Sequence, residues 1–267
     1  MRFRPFTGDS TRTVRLDVAP LALVLAQIRW PPHSALTRQF RDSALEFGAG
    51  LDGFPLYSEM TAQEIQFTSD GVKSVPGEPV YQWKSADGIW TVSLTRTFAS
   101  IYCSHHDGYR YTEMEGHIDQ VCERLGTSLG IVAINRVGLR YVNRITDSTT
   151  MDELGQTFDP AVLGYSQLSI PSEVALAADV SQGEYSIEDI TLHVRSGHLP
   201  PNQTLDPAIP DVDCVSWTLD MDASIDHPQA FDALAVRSTA SKLADTIYDF
   251  FKLVLKEGGE QKLDGSR

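Results

Sequence analysis

Apolar residues recur along this chain with two periods, and the period switches from segment to segment. Residues 21–30 (LALVLAQIRW) are an apolar run closed by Pro31-Pro32, which predicts a strand, because proline cannot continue a hydrogen-bonded ladder. From residue 35 to 47 the period changes: Leu36, Phe40, Ala44 and Phe47 form one stripe, so a helix is expected, with Ser34 as its N-cap and Gly48 and Gly50 ending it. Residues 65–68 read as a short strand, with Asp70-Gly71 and Gly77 as loop. Residues 80–84 and 89–95 flank Ala86-Asp87-Gly88, a hairpin signal, and 97–103 continue as a strand. A second helical stripe, Met114, Ile118, Val121 and Leu125, predicts a helix over 111–125. Residues 131–145 then read as one long strand, bent near Gly138.

Beyond this point the pattern weakens. Residues 147–183 are acidic and aperiodic, and are expected to be an irregular excursion. Residues 187–195 alternate as a strand with Ile190, Leu192 and Val194 inward; 197–213 form a proline-rich loop; 215–225 alternate again. A long helix is predicted over 228–255, its buried face being Phe231, Leu234, Leu243, Ile247, Phe250, Phe251 and Val254. Hairpin-type strands outnumber helices and no repeat of fixed period is visible. The expected class is therefore α+β: an antiparallel sheet, helices packed on one face, and a long C-terminal helix. Two halves are expected, 1–147 and an acidic 148–267, joined as one unit.

Charge sharpens this division. The formal net charge is −14, yet residues 1–144 are neutral, with 15 basic and 15 acidic side chains. Residues 145–235 hold one arginine against 16 acids. That block would repel nucleic acid, so non-specific nucleic-acid binding is not expected. No run of about 18 apolar residues exists, so no membrane helix is expected, and residues 1–17 read as a polar arm without the apolar run of a signal peptide. Cys103, Cys122 and Cys214 are few, odd in number and not closely spaced, which suits free thiols in a reducing cytoplasm.

Three clusters bear chemistry. Arg136, Arg140 and Arg144 alternate onto one strand face, with Gly138 leaving room between the first two. They would either bind a carboxylate, a phosphate or a partner, or form salt bridges to the acidic block. Asp220 and Asp222, with Asp226 following, are weak candidates for a metal ion; the plainer reading is the solvent face of an amphipathic strand. His105-His106-Asp107 beside Cys103 supplies the residue types of a nucleophilic site. Neighbours on a strand face opposite ways, however, and His117, Cys122 and Cys214 complete no zinc spacing. No phosphate loop, dinucleotide fingerprint, nucleophile elbow or HExxH is present, and no cofactor is expected.

The segment Arg136-Val137-Gly138-Leu139-Arg140-Tyr141-Val142-Asn143-Arg144-Ile145 resembles the strand signature of a sporadically distributed family of prokaryotic proteins of uncharacterised activity. Pro20-Leu21 with Ile28-Arg29-Trp30-Pro31-Pro32 resembles that family's early motif. Trp83, Asp87-Gly88, Val92-Ser93-Leu94-Thr95 and Phe98 resemble its middle one, and Leu219-Asp220-Met221-Asp222 before a long helix its last. The resemblance implies one co-evolved unit and no activity. A non-enzymatic protein whose acidic block meets a basic partner is the leading expectation. The alternative is an enzyme or binder of a nucleotide, phosphate or RNA end through the arginine strand.

Overall fold

The structure is a computed structural model that describes residues 2–68, 71–104 and 108–264, without the side chains of 35, 37, 38, 62–68 and 71–76. In chain order its elements are β1 (Leu21–Arg29), α1 (Ser34–Ala49), β2 (Leu56–Thr68), β3 (Gly71–Lys84), β4 (Trp90–Leu94), β5 (Phe98–Cys103), α2 (Tyr111–Thr127), β6 (Ala133–Ile134) and β7 (Arg136–Ile145). Then follow α3 (Ser148–Asp152), α4 (Leu154–Thr157), β8 (Asp179–Ile187), β9 (Ile190–Leu199), β10 (Ser216–Ile225), β11 (Gln229–Ala230), α5 (Ala233–Val254) and α6 (Gly259–Asp264). Nine strands form one antiparallel sheet in the order β2-β3-β4-β5-β1-β7-β10-β9-β8, and β6 pairs with β11.

Both halves of the chain contribute to this sheet and follow the same path. A strand (β1 or β7) is followed by a helical segment, then by a meander that returns beside the first strand, then by a long helix, α2 or α5. Since β1 and β7 lie antiparallel at the centre, the strand order and directions are those of two units related by a two-fold axis between them. Val24, Ala26 and Ile28 from β1, Val137 and Leu139 from β7, and Leu219, Met221 and Ala223 from β10 alternate into one core with Met114, Ile118, Val121 and Leu125 of α2 and Leu243, Ile247 and Phe250 of α5. Phe40 and Phe47 of α1 join it against Tyr81 and Trp83. The α+β class, the antiparallel sheet and the long C-terminal helix are those the periodicity predicts.

Residues 2–17 are a strap over α5. The backbone N–H groups of Phe6 and Thr7 and the Thr7 hydroxyl donate to Asp249, whose side chain is fully buried. Lys252, equally buried, donates to the carbonyl oxygen of Asp9 and pairs with Asp249 at 3.3 Å. Arg4 pairs with Asp245 at 2.9 Å, and Arg12 donates to the carbonyl oxygens of Lys252 and Leu255. A buried lysine and aspartate are tolerable only because each finds a partner here.

Several expected boundaries differ. Helix α1 is capped by His33 and not Ser34, without a side-chain cap bond. Of the loop expected around Asp70-Gly71 and Gly77, Asp70 lies outside the described residues, and Gly71 and Gly77 belong to β3, which pairs with a β2 that begins at Leu56. That distal stretch of β3 pairs with β2 alone, since β4 reaches only Tyr81–Lys84, so its prolines interrupt no second ladder. The break in 131–145 falls at Asn135, not Gly138, because residues 133–134 leave to pair with β11. Within 147–183, Asp179 onward is edge strand β8, whose exposed side chains hide the alternation. Leu234 is 77% exposed and leaves the expected helix face, since α5 starts at Ala233 after an Asp232 cap. Residues 105–107 lie outside the described residues.

Candidate functional site

Alternation along β7 sends Val137 and Leu139 into the core and Arg136, Gly138, Arg140, Val142 and Arg144 to the opposite face. The register then sets what each arginine meets. Arg140 is opposite Asp222 on β10, which is opposite His193 on β9, which is opposite Glu184 on β8. One row further, Asp220 lies between Val142 and Arg195.

Asp220, 2% exposed, is the hub of this face. Arg140 donates to it through Nε and Nη2, both at 2.8 Å, and Arg195 through Nε at 3.1 Å and Nη2 at 2.7 Å. Asp206 closes the network, accepting from Arg140 at 3.2 Å and lying 3.6 Å from Arg195. Burial alone would lower the pKa of Arg140. The hydrogen bonds and charge of Asp220, helped by Asp206 and Asp222, outweigh it and raise the value well above the ordinary one. Arg136 pairs with Asp222 at 3.2 Å and Asp226 at 3.1 Å and donates to Gln27. Its guanidinium lies over Gly138, where an added Cβ would collide with Nη1. The room that Gly138 leaves is thus filled by the protein's own arginine. Burial raises the pKa of Asp222 above the ordinary aspartate value despite Arg136 and Arg140.

Arg144 is different. It is 7% exposed, and only Nη1 finds a partner, the carbonyl oxygen of Pro210. Its Nε and Nη2 are buried without a hydrogen bond, and no carboxylate pairs with it among the described residues. Burial lowers its pKa, with Asp211 and Cys214 acting the other way. Arg136 and Arg140 therefore belong to internal ion pairs, and Arg144 does not.

Among the described residues, two recesses are lined by these arginines and a third lies apart from them. One of about 410 Å³ is lined by Arg140, Arg195, His193 and four carboxylates, Glu184, Asp206, Asp220 and Asp222. A second, of about 300 Å³, has Arg144 in its wall. The third is a groove of about 630 Å³ between residues 146–155, 165–176, His198 and Val215. Its wall holds Met151, Leu154, Leu168, Ile170 and Leu176, one acid, Asp152, and no lysine or arginine. Tyr165 at 66%, Leu168 at 61% and Ile170 at 43% exposure make this end an open apolar patch.

The sulfur and histidine candidates do not converge. Burial pushes the Cys103 thiol up to about 12, with Glu113 adding to it, and burial does the same to Cys122. Neither is therefore a thiolate near neutrality. Cys214 lines the apolar groove, and all three cysteines are free. His117 packs against Trp90 and Phe54, and burial lowers its pKa. Tyr141 lies on the core side, its hydroxyl 2.9 Å from that of Tyr109. Asp220 commits both oxygens to arginines, and no cluster of three metal-ligating side chains occurs among the described residues.

Two features had weak sequence signals. Asp206 is one acid in a proline-rich loop, and only the fold of residues 200–215 over the sheet brings it to Arg140 and Arg195. The groove comes from the stretch read as irregular; its trace was a set of apolar residues, Tyr165, Leu168, Ile170 and Val174, without a period. Among the described residues no helix is long and apolar enough to cross a membrane. Neither a family model nor a curated protein matches the chain, so the resemblance carried by Arg136–Ile145 rests on its own residues.

Proposed function

We propose that this protein acts non-enzymatically, by binding a protein partner that presents a basic, amphipathic segment to the groove between residues 146–155 and 165–176. The single observation that carries this reading is the open apolar patch of Tyr165, Leu168 and Ile170 within the block of 16 acids and one arginine. Tyrosine and aliphatic side chains in a concavity supply desolvation energy, and the net negative charge of this half, with Asp152 in the groove wall, attracts a cationic partner. The paired state of Arg136 and Arg140 adds support, because the anion-binding alternative needed both open. The expected setting is the cytoplasm, with free thiols.

The test is co-purification of the intact chain from its native host, followed by hydrogen exchange of the recovered complex. A partner that slows exchange in residues 146–176 supports the proposal. A stable partner whose footprint lies elsewhere, or a chain that retains no partner under mild conditions, counts against it.

A further inference from the structure

We propose that the free edge of β8 is a docking site for an extended protein segment with lysine or arginine at every second position, added to the sheet as a further strand. The site lies apart from the groove, and the inference does not rest on it. β8 ends the sheet and pairs on one side only, with β9, in an unbroken register from Asp179 to Ile187. In such an edge strand every second residue points its N–H and C=O away from the ladder. Among the described residues, the main chain of 180–187 takes part in no hydrogen bond besides those to β9. Natural sheets blunt an edge of this kind with a bulge, a proline or a lysine. β8 has none of the three, and residues 182–186 are all exposed. An unblunted edge is what an added strand needs, since its affinity comes from main-chain hydrogen bonds.

Charge selects the occupant. The cross-strand row of Arg140, Asp222, His193 and Glu184 runs out to this edge and stops there on a carboxylate. Among the described residues Glu184 pairs with His193 alone, at 3.5 Å, and both side chains are more than half exposed. The recess of about 410 Å³ opens beside them, with Gln182, Gly183 and Glu184 of β8 in its wall. Its two arginines are already engaged by Asp220 and Asp206, so the charge left over at the edge is that of Glu184. A residue added opposite Glu184 shares its face and stands about 5 Å from it, Cβ to Cβ, where a cation completes the row. The other face of β8 differs. Tyr185, 42% exposed, reaches back over Gly183 and packs edge-on against Phe6. Residues added opposite Gly183 and Tyr185 therefore meet an aromatic surface, which favours apolar side chains. Basic and apolar positions alternate because the pleat sends successive side chains to opposite faces. A second copy of this chain fits the edge poorly, since it brings another Glu184 and another net charge of −14.

The test titrates the full chain, at physiological ionic strength, with an end-capped nine-residue peptide of alternating lysine and valine, the length of β8. Saturable binding is expected, about tenfold tighter than for a peptide of the same composition with its lysines in one block. Hydrogen exchange should slow within residues 180–187. Two further peptides, N-methylated at every lysine or at every valine, separate strand addition from plain charge attraction. Only one set of nitrogens faces β8, so one peptide should lose binding and the other keep it. Glu184→Lys, at an exposed position, should melt as the wild type does and weaken the lysine peptide about tenfold. It should also bind an alternating glutamate–valine peptide that the wild type refuses. The methylated peptides decide the question on the wild-type chain even if this variant fails to fold. Any of four results overturns the proposal: no binding at millimolar peptide, equal binding of the alternating and block peptides, equal effects of the two methylations, or slowed exchange confined to residues 146–176. A chain that sediments as a dimer with β8 protected overturns it too, because a second copy then occupies the edge.

Discussion

At the scale of single residues, the three arginines of β7 look equivalent in sequence and are not. Arg140 shares the buried carboxylate of Asp220 with Arg195, so Arg140→Ala strips one partner from an acid that is 2% exposed. Chemical denaturation should show a loss of about 3–5 kcal/mol. Arg136→Ala should cost less, roughly 1–2 kcal/mol, because Asp222 and Asp226 are more exposed and water replaces part of the bond. Equal losses at both positions would contradict the hub role of Asp220. Acid sensitivity is a second residue-scale consequence. Burial alone would raise the pKa of Asp249, but hydrogen bonds from Thr7, from the backbone of Phe6 and Thr7, and from Lys252 bring it below its ordinary 3.8. A depressed folded-state value means that this stability is fully present above pH 3.8 and is lost as pH falls through the folded value. Asp249→Asn should therefore lower stability at neutral pH and flatten its decline below about pH 4. An acid limb as steep as wild type would sink this assignment.

Single elements show what periodicity reveals and what it hides. The stripes of α1, α2 and α5 were legible because helical spacing of Phe40 and Phe47, of Met114 to Leu125, and of Leu243 to Val254 places them against one core. Leu234 fitted the same spacing yet is exposed, since a pattern cannot tell where the packed part of a helix begins. The contrast is measurable: Leu243→Ala should cost about 2–5 kcal/mol, whereas Leu234→Ala should stay within about 0.5 kcal/mol. In sequence the strap of residues 2–17 reads only as a polar arm, because its anchors, Asp249 and Lys252, lie some 240 residues away. A chain lacking residues 2–13 would leave Asp249 and Lys252 with only each other, stripped of the hydrogen bonds that the strap supplies. It should melt well below the intact chain or fail to fold, and an unchanged melting curve would show that the strap is ornamental.

For the molecule as a whole, the joint between β1 and β7 unites two similar strand paths whose charges differ sharply. The topological likeness leaves no periodic trace in the sequence, because sheet order is set by pairing geometry and not by side-chain identity. That likeness also makes the difference informative. The second half alone carries the acidic block, the irregular helical turns of 148–167 and the open groove. The fold class was legible from alternation. The groove was not, since a concavity built from aperiodic turns has no period to read. Adding salt should weaken partner binding, because exposed acids contribute through long-range attraction that ions screen. The most direct test of the account is the affinity of the captured partner for wild type and for Leu168→Ser/Ile170→Ser. Both positions are exposed, so the variant should melt as wild type does, and the account predicts at least a tenfold loss of affinity. Full affinity in this variant, at an unchanged melting temperature, would contradict it.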